Sequence, residues 1–166
     1  MDWNNQNANF NALIKQLFHG KGWKNRAEAA LELGLLKDGR AVNLLCRALQ
    51  SERDPGVLNN IIEALGRIGN AKATIGIIDI LKEEIDHFKN NRIQFDKLRV
   101  IIIIESLKNI KDKRALPYIG FFLNSSINEL KTLSEQAFDV IEPNWREIVD
   151  KERQEKSIQD IFKVSL

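Results

Sequence analysis

The side chains able to coordinate a metal or attack a substrate are few: two histidines, His19 and His87, and one cysteine, Cys46. None lies within the few residues of another that zinc-ligand pairs use, and no G-x-S-x-G elbow or glycine-rich phosphate loop is present. No catalytic residue, cofactor or metal is therefore expected. A lone cysteine excludes an intramolecular disulfide and fits a reducing, cytoplasmic compartment. Binding chemistry is better represented. The segments GLLKDGR (34–40), GRIGNAK (66–72) and KNIKDKR (108–114) together carry +6, although the whole chain of 166 residues carries only +2. Their cations, Lys37, Arg40, Arg67, Lys72, Lys108, Lys111, Lys113 and Arg114, would form a basic ridge able to meet nucleic-acid phosphates or an acidic protein surface. The competing expectation is structural: Arg40, Lys72 and Arg114 bond a neighbouring cap, and the rest are a solvated face. No aromatic residue interleaves the ridge, as single-strand binding would want.

The elements that must position these residues follow from an internal repeat. Residues 33–49 read LGLLKDGRAVNLLCRAL, residues 65–81 LGRIGNAKATIGIIDIL and residues 107–123 LKNIKDKRALPYIGFFL. The shared pattern, L-x-x-[LI]-x-[DN]-x-[RK]-A, aligns Leu33, Leu65 and Leu107 and then Asp38, Asn70 and Asp112. Apolar residues recur at helical spacing on both sides of the polar break, so each copy predicts helix, tight turn, helix. Asp or Asn at the break offers a short acceptor to orphan N–H groups at the start of the second helix. Asp54-Pro55 and Asp96 mark the starts of two first helices. The run VIIII, Val100 to Ile104, reads as strand by propensity alone, but its register in the repeat makes it helix.

The stretch from Arg26 to Leu81, RAEAALELGLLKDGRAVNLLCRALQSERDPGVLNNIIEALGRIGNAKATIGIIDIL, resembles the HEAT-repeat superfamily, in particular the short HEAT-like units first described in phycobilisome lyases. The likeness is strong over residues 23–82, good over 96–123 and weak at both ends. It implies an all-α fold, an α-α superhelix or HEAT-like solenoid of about four helix-turn-helix units with degenerate ends, whose second helices line a concave face. The expected layout is a cap helix within 1–22, units at 23–50, 54–82 and 96–123, an insertion at 83–95, and a degenerate fourth unit with a C-terminal tail over 126–166. Hydroxylases of this superfamily hold iron on His-Glu pairs, but His19 precedes Gly20 and His87 precedes Phe88. Its alkylpurine glycosylases use Trp and an acid; this chain has Trp3, Trp23 and Trp145, of which two sit at or beside helix starts near the chain ends, where they would staple a terminal unit.

The resemblance specifies architecture well and chemistry poorly. The expected function is a non-catalytic scaffold that binds another protein through the concave face, the inter-repeat insertion, or both. On the concave face Arg47, Asp79 and Phe121 are in register, and Tyr118 adds a second aromatic to unit three. At the insertion, Ile101 and Ile102 make the first helix of unit three apolar nearly all round. They are covered either by Ile85, Phe88, Ile93 and Phe95 folding back or by a partner or second copy, which makes Phe88, Ile101 and Ile102 a candidate interface and a homodimer an open expectation. A nucleic-acid-binding module using the basic ridge and an accessory subunit of a lyase-like enzyme are the alternatives. The longest apolar run has five residues, against the ~20 that span a bilayer, so no membrane partner is expected.

Overall fold

The computed structural model describes residues 3–91 and 95–152. Among these the chain is helical, with short connections and no strand. The helices are α1 (Trp3–His19), α2 (Trp23–Leu36), α3 (Val42–Ser51), α4 (Pro55–Ile68), α5 (Thr74–Asn91), α6 (Lys97–Ile110), α7 (Leu116–Ile119), α8 (Asn128–Ile141) and α9 (Trp145–Glu152). The pairs α2/α3, α4/α5, α6/α7 and α8/α9 form successive helix-turn-helix units of an α-α superhelix. No helix among the described residues is long and apolar enough to cross a membrane.

The turn inside each of the first three units is built the same way. The chain leaves the first helix through a left-handed residue, Lys37 (φ 51°), Gly69 (φ 73°) or Lys111 (φ 61°). Glycine takes this conformation freely, whereas an L side chain pays roughly 1 kcal/mol for it. The next residue turns its side chain back on the chain: Asp38, Asn70 and Asp112 accept the backbone N–H groups of Arg40, Lys72 and Arg114 at 2.9, 3.0 and 3.0 Å. These residues cap a single 3-10 turn, Gly39–Ala41, Ala71–Ala73 or Lys113–Ala115, that runs straight into the second helix. The first helices begin as their sequence signals require. Asp54 accepts from the N–H groups of Gly56 and Val57, and Asp96 accepts from that of Arg99.

Packing follows the repeat register. Leu33, Leu65 and Leu107 are fully buried, as are Leu45, Ile77 and Ile119. Val100, Ile103 and Ile104 are fully buried within α6, so tertiary burial overrides their strand propensity. The first helices stack directly, α2 on α4, α4 on α6 and α6 on α8, while successive second helices touch sparsely. Small residues permit this closeness. A Cβ added at Gly34 would lie 2.7 Å from the Cα of Ala64, and one at Gly66 would lie 2.6 Å from the Cα of Ser106. Two side chains tie the stack: Asn60 donates to the Ala27 carbonyl (3.0 Å) and Ser106 to the Ile62 carbonyl (3.1 Å). At the N-terminal end, α1 buries Phe10, Leu13 and Leu17 and packs mainly on α2, with a lighter contact to α3, as a second helix without its first.

Three features depart from a regular array. The excess residues after unit two continue α5 as helix to Asn91, because LKEEIDHFKNN holds no glycine, proline or Asp-Pro stop of the kind that ends α3. Ile93 lies outside the described residues. The second helix of unit three is short, and after Ile119 it tightens into a 3-10 segment, Gly120–Asn124. In unit four Glu142 is not left-handed (φ −140°), so the exit of the first three units is not repeated. Trp145 staples this unit instead, its Nε1 donating to Asp139 at 2.8 Å and its ring centred 5.1 Å from that of Phe138. Trp23, by contrast, is half exposed. The tail residues Ile158, Ile161 and Phe162 lie outside the described residues.

An ion pair closes unit one. The Arg26 guanidinium donates to both Glu52 oxygens at 2.7 and 3.1 Å, and Glu52 also accepts the N–H groups of Arg53 and Asp54. The Arg26 side chain, and then these N–H donors, pull the Glu52 carboxyl from 4.5 down to about 2. Because the folded value is below the unfolded one, this stabilisation is complete above about pH 5 and is lost as the pH falls towards 2. Solvent on one side of the pair reduces it to about 1–2 kcal/mol. Urea melts at pH 7 and pH 3 should therefore show a smaller acid loss in Glu52→Gln than in the parent chain, and equal losses would sink this assignment.

Candidate functional site

The turn edge collects all eight ridge cations, but most are held locally. Arg40 pairs with Asp38 (2.6 Å), Arg67 with Glu63 (2.6 Å), Lys108 with Glu105 (3.5 Å), Lys113 with Glu142 (2.5 Å) and Arg114 with Asp112 (2.5 Å). The guanidinium partners hold the Asp38 and Asp112 carboxyls below their usual range. The arginines also bridge units. Arg40 donates to the Asn7 side chain on α1 (2.9 Å) and stacks 4.6 Å from the Phe10 ring, while Arg114 donates to the Ala71 carbonyl in the preceding turn (3.2 Å). Thr74, fully buried, adds a bond to Asp112 (2.9 Å). Arg40 and Arg114 thus tie each turn to the unit before it. Lys72 makes no such bridge, its unit's cap being the neutral Asn70. A cleft of about 360 Å³ at this edge, lined by Phe10, Leu36, Asp38 and Arg40 among others, is crossed by the same ties.

The second-helix face is organised by cations over rings. Arg47 is exposed on α3, and its guanidinium lies 5.9 Å from the Phe18 ring of α1. Asp79 is exposed on α5 and pairs with Lys82 (3.2 Å), whose ammonium sits 5.1 Å from the half-buried Tyr118 ring. The Asp79 carboxylate, with Tyr118 assisting, raises the Lys82 pKa above its ordinary value. Phe121, also half-buried, lies under Lys89 at 5.2 Å. Asp79 and Tyr118 therefore meet through Lys82, with Phe121 under its own lysine, and Arg47 forms a separate pair one unit away. Phe18, Lys82 and Lys89 belong to this arrangement although the repeat pattern does not single them out. The available signal is the i, i+3 spacing of Asp79 and Lys82; the ring partners are neighbours only in space.

At the insertion the aromatics pack on unit three. Phe88 stacks on Phe95 (centroids 4.4 Å apart, planes 17° apart), and both meet Phe121 edge-on at 6.2 Å. Phe122 completes the cluster, 5.2 Å from Phe95 and 5.1 Å from Phe121. Phe88 remains 40 % exposed. Ile101 and Ile102 are half-buried against the core. Cys46 is half-buried, and burial pushes its thiol pKa up, away from the thiolate a nucleophile needs. His19 and His87 are exposed, and no cluster of metal-binding side chains occurs among the described residues.

Comparison with known proteins agrees with this geometry. A stretch of 63 residues is 36 % identical to the bilin biosynthesis protein PecE of Mastigocladus laminosus, covering 38 % of this chain and 23 % of that protein. The chain thus matches less than a quarter of that relative's length. Residues 10–93, from α1 to beyond α5, match the family described as HEAT repeats. With half the chain matched, and with left-handed exits, capped 3-10 turns and stacked first helices recurring unit by unit, this chain belongs to the HEAT-repeat family.

Proposed function

We propose that the chain is a non-catalytic cytoplasmic scaffold whose second-helix face engages another protein. The observation that carries this reading is the pair of half-buried rings, Tyr118 and Phe121, held under Lys82 and Lys89 and flanked by the exposed Asp79. Aromatic anchors with a charged rim are what protein interfaces use for most of their binding energy. The rings are held in place by their cations before a partner arrives, so little ordering opposes association. The test is affinity capture of tagged wild-type and Tyr118→Ala/Arg47→Ala proteins from the native cells, at two salt concentrations and with nuclease. A stoichiometric protein partner that survives nuclease and falls about tenfold in the variant supports the reading. Equal capture by the variant, or recovery of nucleic acid alone, overturns it.

A second reading is favoured by the similarity to a bilin biosynthesis protein: an accessory subunit assisting a lyase-like enzyme with a linear tetrapyrrole. Mixing the purified chain with a free bilin and recording the visible spectrum separates the two. A shifted, intensified band supports the accessory reading, and an unchanged spectrum counts against it.

A further inference from the structure

The turn edge contains a conformational choice that the turn itself does not require. The three exits from first helices are equivalent and all left-handed, yet only the middle one uses glycine, Gly69, while the outer two use Lys37 and Lys111. Among the described residues these two lysines are exposed and form no ion pair, and the same holds for Lys72 between them. Complementing the helix dipole gives a reason for lysine at position 37, since α2 carries no basic residue in its last turn, but not at Lys111. The last turn of α6 already carries Lys108, and α4 obtains the same complement from Arg67 while keeping glycine at its exit. A strained residue that adds no contact points to a role outside the fold.

We propose that this edge is a docking strip for an acidic polypeptide segment, with Lys37, Lys72 and Lys111 as its contact residues. The strip is separate from the second-helix face, and the inference stands whether or not that face binds a partner. Charge placement selects the class of ligand. Asp38, Glu63, Glu105, Asp112 and Glu142 interrupt the strip and neutralise the other five cations. A nucleic-acid backbone, charged at every step, would meet, among the described residues of this strip, only three cations not already held in ion pairs, too few to match its charge density. A peptide meets the three lysines and avoids the acids if its own carboxylates are spaced apart. Stacked helices lie about 8–10 Å apart and an extended chain advances about 3.3 Å per residue, so an acid at every third position matches one unit.

The probe is a short synthetic peptide repeating Glu-Ser-Ser, labelled for anisotropy at low salt, beside an oligothymidylate of equal length. Lys37→Gly/Lys111→Gly should bind the peptide about tenfold more weakly than the parent chain, two surface charge contacts being lost. The charge-matched control Lys15→Gln/Lys131→Gln should stay within about twofold. The glycine variant should also melt at the same temperature as the parent or a few degrees higher, since the left-handed strain is relieved at both sites. Four results would each overturn the proposal: no peptide binding by the parent chain, equal binding by the glycine variant, tighter binding of the oligothymidylate, or a glycine variant that melts clearly lower.

Discussion

Replacing Phe122 with alanine is expected to destabilise the protein by about 3–5 kcal/mol, the range for truncating a fully buried aromatic. Phe122 has no exposed surface, and its ring meets Phe95 and Phe121 at 5.2 and 5.1 Å. It lies in the 3-10 segment that replaces the second half of unit three's second helix. A 3-10 segment has poorer hydrogen-bond geometry than an α-helix, so side-chain burial carries much of its placement. For a chain of this size each kcal/mol lowers the melting temperature by roughly 2–4 °C, so a drop of about 6–20 °C is expected by circular dichroism. Phe88→Ala, at a ring that is 40 % exposed in the same cluster, should lose far less. Similar losses for the two variants would mean that the cluster is not anchored through Phe122.

The second large effect has a sign that distinguishes two glycines. Gly66→Ala gains helix propensity of about 1 kcal/mol, but its Cβ would sit 2.6 Å from the Ser106 Cα, a backbone atom that cannot rotate away. α4 and α6 would have to separate, which breaks close packing along both helices and the Ser106 bond to Ile62. A net loss of about 2–3 kcal/mol is expected. Gly76→Ala, inside α5, meets only the Leu49 Cδ2 at 3.5 Å, an ordinary contact, and should stabilise by up to about 1 kcal/mol. Paired urea melts decide this, and two shifts of the same sign would refute the close approach of the first helices.

The helices and their order could be read from the letters because the units repeat agreeing signals: the buried Leu33, Leu65 and Leu107, the capping Asp38, Asn70 and Asp112, and, in units two and three, the starts at Asp54-Pro55 and Asp96. What escaped has physical reasons. Lysine gives no sign that it will adopt positive φ, so the turns at Lys37 and Lys111 became equivalent to that at Gly69 only in three dimensions. A charge sum over turn segments makes the ridge strongly basic because it misses acids just outside them, Glu63 and Glu105 one turn earlier on the same helices and Glu142 in unit four. The pairing of Lys89 with Phe121 depends on α5 running past its unit, and helix length is weakly encoded where no stop residue intervenes.

The uneven stacking of the two layers has a mechanical consequence. With Gly34 against Ala64 and Gly66 against Ser106, the first helices act as the binding of a book, stiff because small residues leave no slack there. The second helices behave as its pages, since α3, α5 and α7 touch one another sparsely. Bending is therefore easiest about the bound edge. A few degrees of rotation per unit widens or narrows the gaps between pages while the spine stays intact. Width on the second-helix side is then the soft coordinate of this molecule, and length along the spine is the rigid one.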